Sequence, residues 1–360
     1  MIRADLASVP PYVPGSPHGL PLKLSSNESS RGPLPGVTRA AAEALARANR
    51  YPDMVAHELR STIADWLGGP SSLLLDAGNI AVGAGSSALI QQAVQATCRG
   101  GDVGDQVVYP WRSFEAYPIL ARVAGAEAVE VPLTPDHRND LPALAAAVTE
   151  KTRLVIVCNP NNPSGTTVSR EELVGFLDAV PSDVQVLLDE AYVEYVREAG
   201  FPDGLGLLAE YPNLAVARTF SKAYGLAGLR VGYLVGRPEF IEAVNKVCIP
   251  FSVNAVAQAA AVASIAAKDE LTARTDETAA QRTRVLGHIP DAWRIPSEAN
   301  FVWLDLGERA RAFEEAIAGY GIAVRCFDGE GVRITVTDTD ETDVVVEALD
   351  ALAPEFFPER

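Results

Sequence analysis

The segment LVIVCNPNNPSG, residues 154–165, joins an apolar run to a turn rich in asparagine and proline. The four consecutive apolar residues Leu154–Val157 are typical of a strand that is buried on both faces of a sheet. A helical pattern at Arg170–Val180 and a second apolar run at Val184–Leu188 follow this segment. Strands that alternate with helices in this way predict a parallel sheet with helices on both faces.

The same alternation of short apolar runs and helical patterns continues on both sides of this segment. Further strands are predicted at Ile80–Val82, Gln106–Tyr109, Ala128–Val131, Leu214–Ala217 and Val231–Val235. Helices are predicted between them at Ser86–Thr97, Phe114–Val123 and Leu141–Val148. We therefore expect an α/β fold with a mostly parallel seven-stranded sheet and helices on both faces.

The two ends of the chain have a different pattern. Seven prolines within the first 35 residues exclude a continuous helix and predict an extended arm. A helical region from Ala255 to about Leu286 leads into alternating runs at Asn300–Leu306, Ile322–Arg325 and Val332–Val336, with a helix near Arg311–Tyr320. The expected organisation is an arm at 1–35 that packs with the small domain, a large domain at 36–252 and a small α+β domain at 253–360.

The composition disfavours several classes of partner. The 360 residues include 30 Lys and Arg against 47 Asp and Glu, so the net charge of −17 disfavours nucleic acid and anionic membranes. Four cysteines without a Cys-x-x-Cys pair predict reduced thiols, and four scattered histidines predict no metal site. Without an apolar run of signal-peptide or membrane-spanning length, the chain is expected to be cytoplasmic.

Polar residues follow the predicted strands at the position where an open α/β sheet binds its ligands. Asn162 lies in the turn after Leu154–Val157, and Asp189 follows Val184–Leu188. A buried carboxylate of this kind needs a cation beside it. Lys222 lies among small and apolar residues, which lowers the pKa of an amine and suits it to Schiff-base chemistry. Taken alone, these segments also fit an ordinary turn, a helix cap and a surface lysine.

The segment GAGSSA, residues 83–88, places small residues between a predicted strand and a predicted helix. Exposed backbone N–H groups at such a helix start attract an anion. The same segment matches the G-x-G-x-x-A pattern of dinucleotide-binding proteins, with Asp102 or Asp105 as the ribose acid. A nicotinamide-dependent dehydrogenase is therefore an alternative, although it gives no role to the asparagine, aspartate and lysine segments. A catalytically inactive binding protein is a third alternative, but it would not be expected to retain lysine, aspartate and arginine together.

Pyridoxal 5′-phosphate is the one cofactor that uses all of these segments, since it needs a lysine, a carboxylate, polar donors and a phosphate site. The ordered segments NPNNPSG, DEAYVEY, TFSKAYGLAGLRVGY, EANFVW and GVRITVT resemble those of fold-type-I pyridoxal-phosphate aminotransferases of the histidinol-phosphate aminotransferase group. The segments PYVPG, KLSSNE, NRYPD and WRSFEAYP are most similar to those of the actinobacterial aromatic amino-acid (phenylalanine) aminotransferases. The resemblance extends over nearly the whole chain.

The resemblance implies a role for each matching residue in cofactor binding and catalysis. Lys222 would bind the cofactor aldehyde and move the proton, and Asp189 would pair with the ring nitrogen. Asn162 and Tyr192 would donate to the ring oxygen, with Tyr192 counted among the catalytic residues. Phe114 would stack on the ring, and the phosphate would be bound by Ser86, Ser87, Thr219, Ser221 and Arg230.

The resemblance also implies an assembly and a substrate site. Tyr51 matches a tyrosine that reaches the phosphate of the neighbouring subunit, which implies a homodimer with shared active sites. Arg333 matches the arginine that binds the substrate carboxylate, and Tyr12 and Asn27 lie in the arm that covers the substrate.

The implied reaction transfers the amino group of an aromatic L-amino acid (Phe, Tyr or Trp) to 2-oxoglutarate. The products would be the aromatic 2-oxo acid and L-glutamate. Histidinol phosphate is the alternative amino donor. Phe251 stands where many histidinol-phosphate enzymes have a tyrosine, and the missing hydroxyl favours the aromatic substrate.

Overall fold

The computed structural model describes residues 9 and 11 and residues 19–71, 74–100 and 104–358. Within these ranges the strands are β1 (Leu22–Lys23), β2 (Ile80–Gly83), β3 (Gln106–Trp111), β4 (Glu127–Pro132), β5 (Thr152–Cys158), β6 (Gln185–Asp189), β7 (Leu214–Thr219), β8 (Gly232–Val235), β9 (Phe301–Asp305), β10 (Ile322–Ala323), β11 (Arg325–Phe327) and β12 (Gly331–Thr335). The α-helices in the same ranges are α1 (Val37–Leu45), α2 (His57–Ser71), α3 (Ser86–Thr97), α4 (Ala116–Ala124), α5 (Leu141–Ala146), α6 (Arg170–Ala179), α7 (Gly204–Leu207), α8 (Pro238–Lys246), α9 (Ala255–Ala266), α10 (Lys268–Gly287), α11 (Ala310–Ala318) and α12 (Thr339–Phe356).

The central sheet has seven strands in the order β2-β8-β7-β6-β5-β3-β4. Strand β8 runs antiparallel to both of its neighbours, and the pairs among the other strands are parallel. All seven predicted apolar runs lie on these strands, so the expected mostly parallel α/β sheet is confirmed.

Alternate residues of the central strands face two separate hydrophobic cores. Val155 and Val157 belong to one core, and Leu154 and Ile156 belong to the other. All four side chains are fully buried, and each contributes roughly 1.5–3 kcal/mol to the free energy of folding. This packing explains why the segment at 154–157 is apolar at every position.

The parallel strands bring their carboxyl ends to one edge of the sheet, here called the carboxyl edge. Cys158 at the end of β5 is in register with Asp189 at the end of β6, and Asp189 is in register with Ala217 of β7. The polar residues that follow these strands therefore lie close together. Helix α4 begins at Ala116, two residues into the predicted helix, so Phe114 lies in the loop before it at the same edge.

The C-terminal part of the chain forms a second unit with its own core. Strands β11, β12 and β9 make an antiparallel sheet that packs with α11 and α12. The predicted run Ile322–Arg325 is divided, because β10 pairs with β1 of the arm while β11 pairs with β12. The single predicted helical region is two helices, α9 and α10, which meet at Ala267. The alanines of α9 pack into the core that contains Val155.

Candidate active site

A cavity of about 250 Å³ lies at the carboxyl edge of the central sheet. It brings together the predicted residues Ser86, Ser87, Phe114, Asn162, Asp189, Tyr192, Thr219, Ser221, Lys222 and Arg230. Its other lining residues are Ser26, Glu28, Cys158, Ala191 and Ala227. Segments that are far apart along the chain therefore surround a single space.

Asp189 lies at the end of β6 with its side chain almost fully buried. Tyr117 donates a hydrogen bond of 2.7 Å from its Oη to Oδ2 of Asp189. The other carboxylate oxygen, Oδ1, is buried without a hydrogen-bond partner among the residues that the structure describes. Burial raises the pKa of Asp189 to about 6, against the opposing effect of the Tyr117 hydrogen bond. A buried acceptor of this kind fits the N–H of a protonated ring nitrogen.

Lys222 lies in the loop after β7, and its Nζ donates a hydrogen bond of 3.0 Å to the backbone oxygen of Ser26. Burial, followed by the positive charge of Arg333, lowers the pKa of Lys222 to about 7. The amine is therefore partly neutral near pH 7, as nucleophilic and proton-transfer chemistry requires.

The end of the cavity that is predicted to bind phosphate lies where α3 begins. Arg230 donates to Oγ of Ser221 at 3.3 Å and to the backbone oxygen of Ala84 at 3.4 Å. A Cβ atom on Gly85, whose φ is +83°, would collide with the Arg230 guanidinium. A Cβ atom on Gly232 would lie 2.6 Å from the backbone nitrogen of Ser86. The two glycines thus allow the start of α3 and the arginine to face one small anion together.

Two other predicted residues are buried behind the lining residues. Asn27 donates from Nδ2 to the Tyr192 hydroxyl at 2.9 Å and so fixes the direction of that hydroxyl. Arg333 donates to the side-chain oxygen of Asn162 and, at 2.7 Å, to the backbone oxygen of Ser25. Both side chains are at least nine-tenths buried. They are therefore linked to the cavity through residues that line it.

Tyr51 and Phe251 do not line the described part of the cavity of their own chain. Their rings stack on each other with centroids 4.6 Å apart, and Tyr51 is 82 % exposed. The Phe251 position, expected near the substrate, is thus a surface position in the single chain. Tyr12 lies outside the described residues.

Several lining or supporting residues are missing from the sequence prediction. Tyr117 follows Phe114 by three residues, and its backbone N–H donates to the Phe114 carbonyl at 3.0 Å, which closes a turn between the two. Cys158 directly precedes the asparagine-rich turn, and its burial raises the pKa of the thiol to about 12. Ser26 and Glu28 belong to the KLSSNE segment, which indicated the site only through Asn27.

The dinucleotide-binding alternative finds no support in the described part of the chain. Asp105 precedes β3, at the end of that strand away from the cavity, and forms an ion pair of 3.0 Å with Arg153. Asp102 lies outside the described residues. Within the described ranges, no group of three or more His, Cys, Asp or Glu side chains could hold a metal ion.

The fold and the cavity define an enzyme of the pyridoxal-phosphate aminotransferase class. The family model "Aminotransferase class I and II" matches residues 21–349, and the chain belongs to this family of pyridoxal-phosphate-dependent enzymes. No helix in the described ranges has both the length and the apolar character needed to cross a bilayer.

The chain is similar along almost its whole length to individual members of the family. It is 57 % identical to the aromatic amino acid aminotransferase of Corynebacterium jeikeium, over 98 % of this chain and 94 % of the relative. It is 54 % identical to the protein of the same name from Corynebacterium diphtheriae, over 98 % and 99 % of the two chains. The crystal structure of histidinol-phosphate aminotransferase from Sinorhizobium meliloti in complex with pyridoxal-5′-phosphate superposes with a TM-score of 0.85 at 30 % identity, covering 98 % of this chain and 97 % of the other.

Proposed function

We propose that this aminotransferase transfers the amino group of an aromatic L-amino acid to 2-oxoglutarate and releases the aromatic 2-oxo acid and L-glutamate. The observation that carries the transamination chemistry is the cavity that joins the Lys222 amine, the Arg230 guanidinium and Oδ1 of Asp189, an oxygen without a hydrogen-bond partner in the described ranges. The aromatic donor is supported by relatives of that name at 51–57 % identity.

The residues of the cavity would hold pyridoxal phosphate from several directions. When bound, the cofactor supplies an aldehyde and a protonated ring that withdraws electrons from the substrate Cα. Oδ1 of Asp189 would accept the ring N–H, while Asn162 and Tyr192 would donate to the ring oxygen. Phe114 would cover one face of the ring. The phosphate would be bound by Ser86, Ser87, Thr219, Ser221 and Arg230.

Lys222 would be the group that moves the proton in the reaction. Its Nζ would take the proton from the substrate Cα and hold it for the return transfer that completes the exchange. A pKa of about 7 suits this exchange, because both protonation states of the amine are populated near neutral pH. The same amine would bind the cofactor aldehyde between turnovers.

Arg333 would bind the carboxylate shared by both substrates. Its buried guanidinium is oriented by Asn162 and Ser25, and a carboxylate matches its paired N–H donors. Asn27 would act on the substrate side by orienting the Tyr192 hydroxyl. Tyr12 is proposed to belong to the arm that covers the substrate.

We also propose the predicted domain division at 1–35, 36–252 and 253–360 and a cytoplasmic location.

The protein would act as a homodimer with shared active sites. Tyr51, Met54 and Ile249 are exposed large hydrophobic residues, and the Tyr51 ring stacks on Phe251 at the same surface. Apolar surface of this kind is typical of a protein interface. Tyr51 would then reach the phosphate in the partner's cavity, a position that it does not occupy in its own chain.

The test is a comparison of kcat/KM for phenylalanine, tyrosine, tryptophan and histidinol phosphate with 2-oxoglutarate as the acceptor. We expect an aromatic amino acid to give the highest value. Preference for histidinol phosphate by about tenfold or more would replace the aromatic assignment with the histidinol-phosphate one. Failure to transaminate any of the four would contradict the proposed reaction as a whole.

A further inference from the structure

Tyr117 lies on the first turn of α4 and is fully buried next to the cavity without lining it. Its contacts with the lining residues Asp189 and Phe114 are the ones that matter here. Its hydroxyl donates to Oδ2 of Asp189 at 2.7 Å. Its ring packs edge-to-face against Phe114, with centroids 5.5 Å apart and planes at 88°. Its backbone N–H donates to the Phe114 carbonyl at 3.0 Å.

We infer that Tyr117 is a positioning residue that fixes both the carboxylate facing the cofactor ring nitrogen and the aromatic side chain facing the cofactor ring. The inference deepens the proposed function and rests on it. The phenol donates its single proton to Oδ2 and leaves Oδ1 as the acceptor for the ring N–H. The same ring limits rotation of Phe114 by its edge contact. One side chain thereby sets the relative orientation of two groups that approach the cofactor from different sides.

The hydroxyl of Tyr117 also keeps Asp189 ionised in a buried setting. A carboxylate removed from water is stable only when hydrogen bonds or cations compensate for the lost hydration. The titratable groups around Asp189 are Lys222, Glu190, Tyr192 and Cys158. Among these, Lys222 favours the ionised carboxylate and Glu190 opposes it. The Tyr117 hydrogen bond is the contact that lowers the pKa of Asp189 most before the cofactor binds, followed by the backbone N–H of Ala191.

The test measures the affinity of the cofactor-free protein for pyridoxamine 5′-phosphate as a function of pH. This probe has no aldehyde, so it binds without a covalent bond to Lys222. Its affinity falls as Asp189 takes up a proton, because a neutral carboxyl attracts the protonated ring nitrogen weakly. Loss of a hydrogen bond to a charged group raises the pKa of the acid, so in Tyr117→Phe the fall in affinity should begin about one pH unit higher. Titration of the probe itself is the same for every variant and cancels in the comparison.

Tyr109→Phe is the matched control. Tyr109 is equally buried, packs 5.9 Å from the Tyr117 ring and donates its hydroxyl to Glu130 at 3.3 Å, at a distance from the cavity lining. Tyr109→Phe therefore removes a part-buried tyrosine–carboxylate hydrogen bond from a ring of the same core, and its binding profile should remain that of the wild type. In an Asp189→Asn background, Tyr117→Phe should produce no shift, because the titrating group has been removed.

Replacement of Tyr117 by 3-fluorotyrosine tests the same idea without removing the hydroxyl. The more acidic phenol strengthens the hydrogen bond, so the fall in affinity should move to lower pH. The positioning role would be overturned by unchanged profiles for both Tyr117→Phe and the fluorinated protein, or by an equal shift in the Asp189→Asn background.

A wild-type protein that binds the probe but prefers histidinol phosphate would overturn only the aromatic assignment. A wild-type protein that does not bind the probe would overturn the proposed cofactor site and this inference together.

Discussion

Asp189 and Lys222 have pKa values that burial has moved towards each other. The pKa of the carboxyl group is raised to about 6, and the pKa of the amine is lowered to about 7. In both cases, loss of hydration disfavours the charged form. Above pH 7 the cofactor-free site therefore contains an ionised carboxylate together with a mostly neutral amine, which is the combination that the proposed chemistry requires.

Lys222→Ala should lower the rate of transamination by at least about a thousandfold, because the variant has no amine to move the proton at the substrate Cα. The protein should still fold, since Lys222 contributes no packing to the hydrophobic cores. Steady-state turnover and circular dichroism measure the two effects. Lys246→Ala is the control, because Lys246 is exposed and its ion pair among the described residues is with Glu242 on its own helix. Turnover of the Lys222 variant near the wild-type rate would contradict the assigned roles.

The pH at which the cofactor-free protein incorporates pyridoxal phosphate should respond in opposite directions to two neighbours of Lys222. The positive charge of Arg333 lowers the pKa of the amine, and the negative charge of Glu28 raises it. In the wild type, the rate of incorporation should rise as the pH passes through about 7, because only the neutral amine attacks the aldehyde.

Arg333→Gln should move this rise in rate to higher pH, and Glu28→Gln should move it to lower pH. Borohydride trapping of the incorporated cofactor, followed by mass spectrometry, gives the rate at each pH. Shifts of the same sign in both variants would show that the charges of these two side chains do not control the amine.

The start of α3 depends on a glycine in a conformation that other residues rarely adopt. Gly85 and Gly36 precede helices with φ values of +83° and +80°. Alanine at either position should lower the free energy of unfolding by about 1–2 kcal/mol, because a residue with a Cβ atom would have to adopt a positive φ there. A Cβ atom on Gly85 would also displace Arg230, whereas one on Gly36 meets no atom of the described residues within 4 Å.

Gly85→Ala should therefore weaken cofactor binding by about tenfold or more, and Gly36→Ala should leave it unchanged. Equilibrium dialysis with pyridoxal phosphate and thermal unfolding separate the two effects. Equal affinities in the two variants would contradict the assignment of the phosphate to the start of α3.

The elements that could be predicted from the sequence are those with a strong local pattern. The central strands are apolar on both faces, so their positions follow from the run itself, as at Leu154–Val157. The two-residue strands β1 and β10 have no such pattern, because they exist only through pairing with each other. The break at Ala267 lies in an alanine-rich stretch without a helix breaker, so only the packing of α9 and α10 in the folded chain defines it.

Those residues of the candidate site that belong to a recognisable motif could be predicted from the sequence. The residues after the central strands were found because parallel strands bring their ends together. The motif resemblance supplied Arg333 and Asn27, but not that both are buried behind the lining. Tyr117 was missed because its role depends on a contact with Asp189, which lies 72 positions away along the chain.

The proposed homodimer predicts that two inactive or weakened chains can restore each other. A mixed dimer of Lys222→Ala and Tyr51→Phe chains should contain one wild-type site, made from Lys222 of one chain and Tyr51 of the other. Co-expression with two affinity tags would isolate this species, and its activity should approach half that of the wild-type dimer. A mixed dimer of Lys222→Ala and Asp189→Asn chains is the control. Lys222 and Asp189 line the cavity of the same chain, so each of its two cavities carries one of the substitutions. Equal activity in both mixed dimers would contradict the sharing of active sites.

The pairing of β1 with β10 has a consequence for the order in which the protein matures during synthesis. Leu22 leaves the ribosome long before its partner Ile322 is made. Ser26 and Glu28, which follow β1 directly, form part of the cavity wall. The nascent chain therefore completes the central sheet before it can complete the wall of the cavity. We therefore expect cofactor loading to follow the translation of β10.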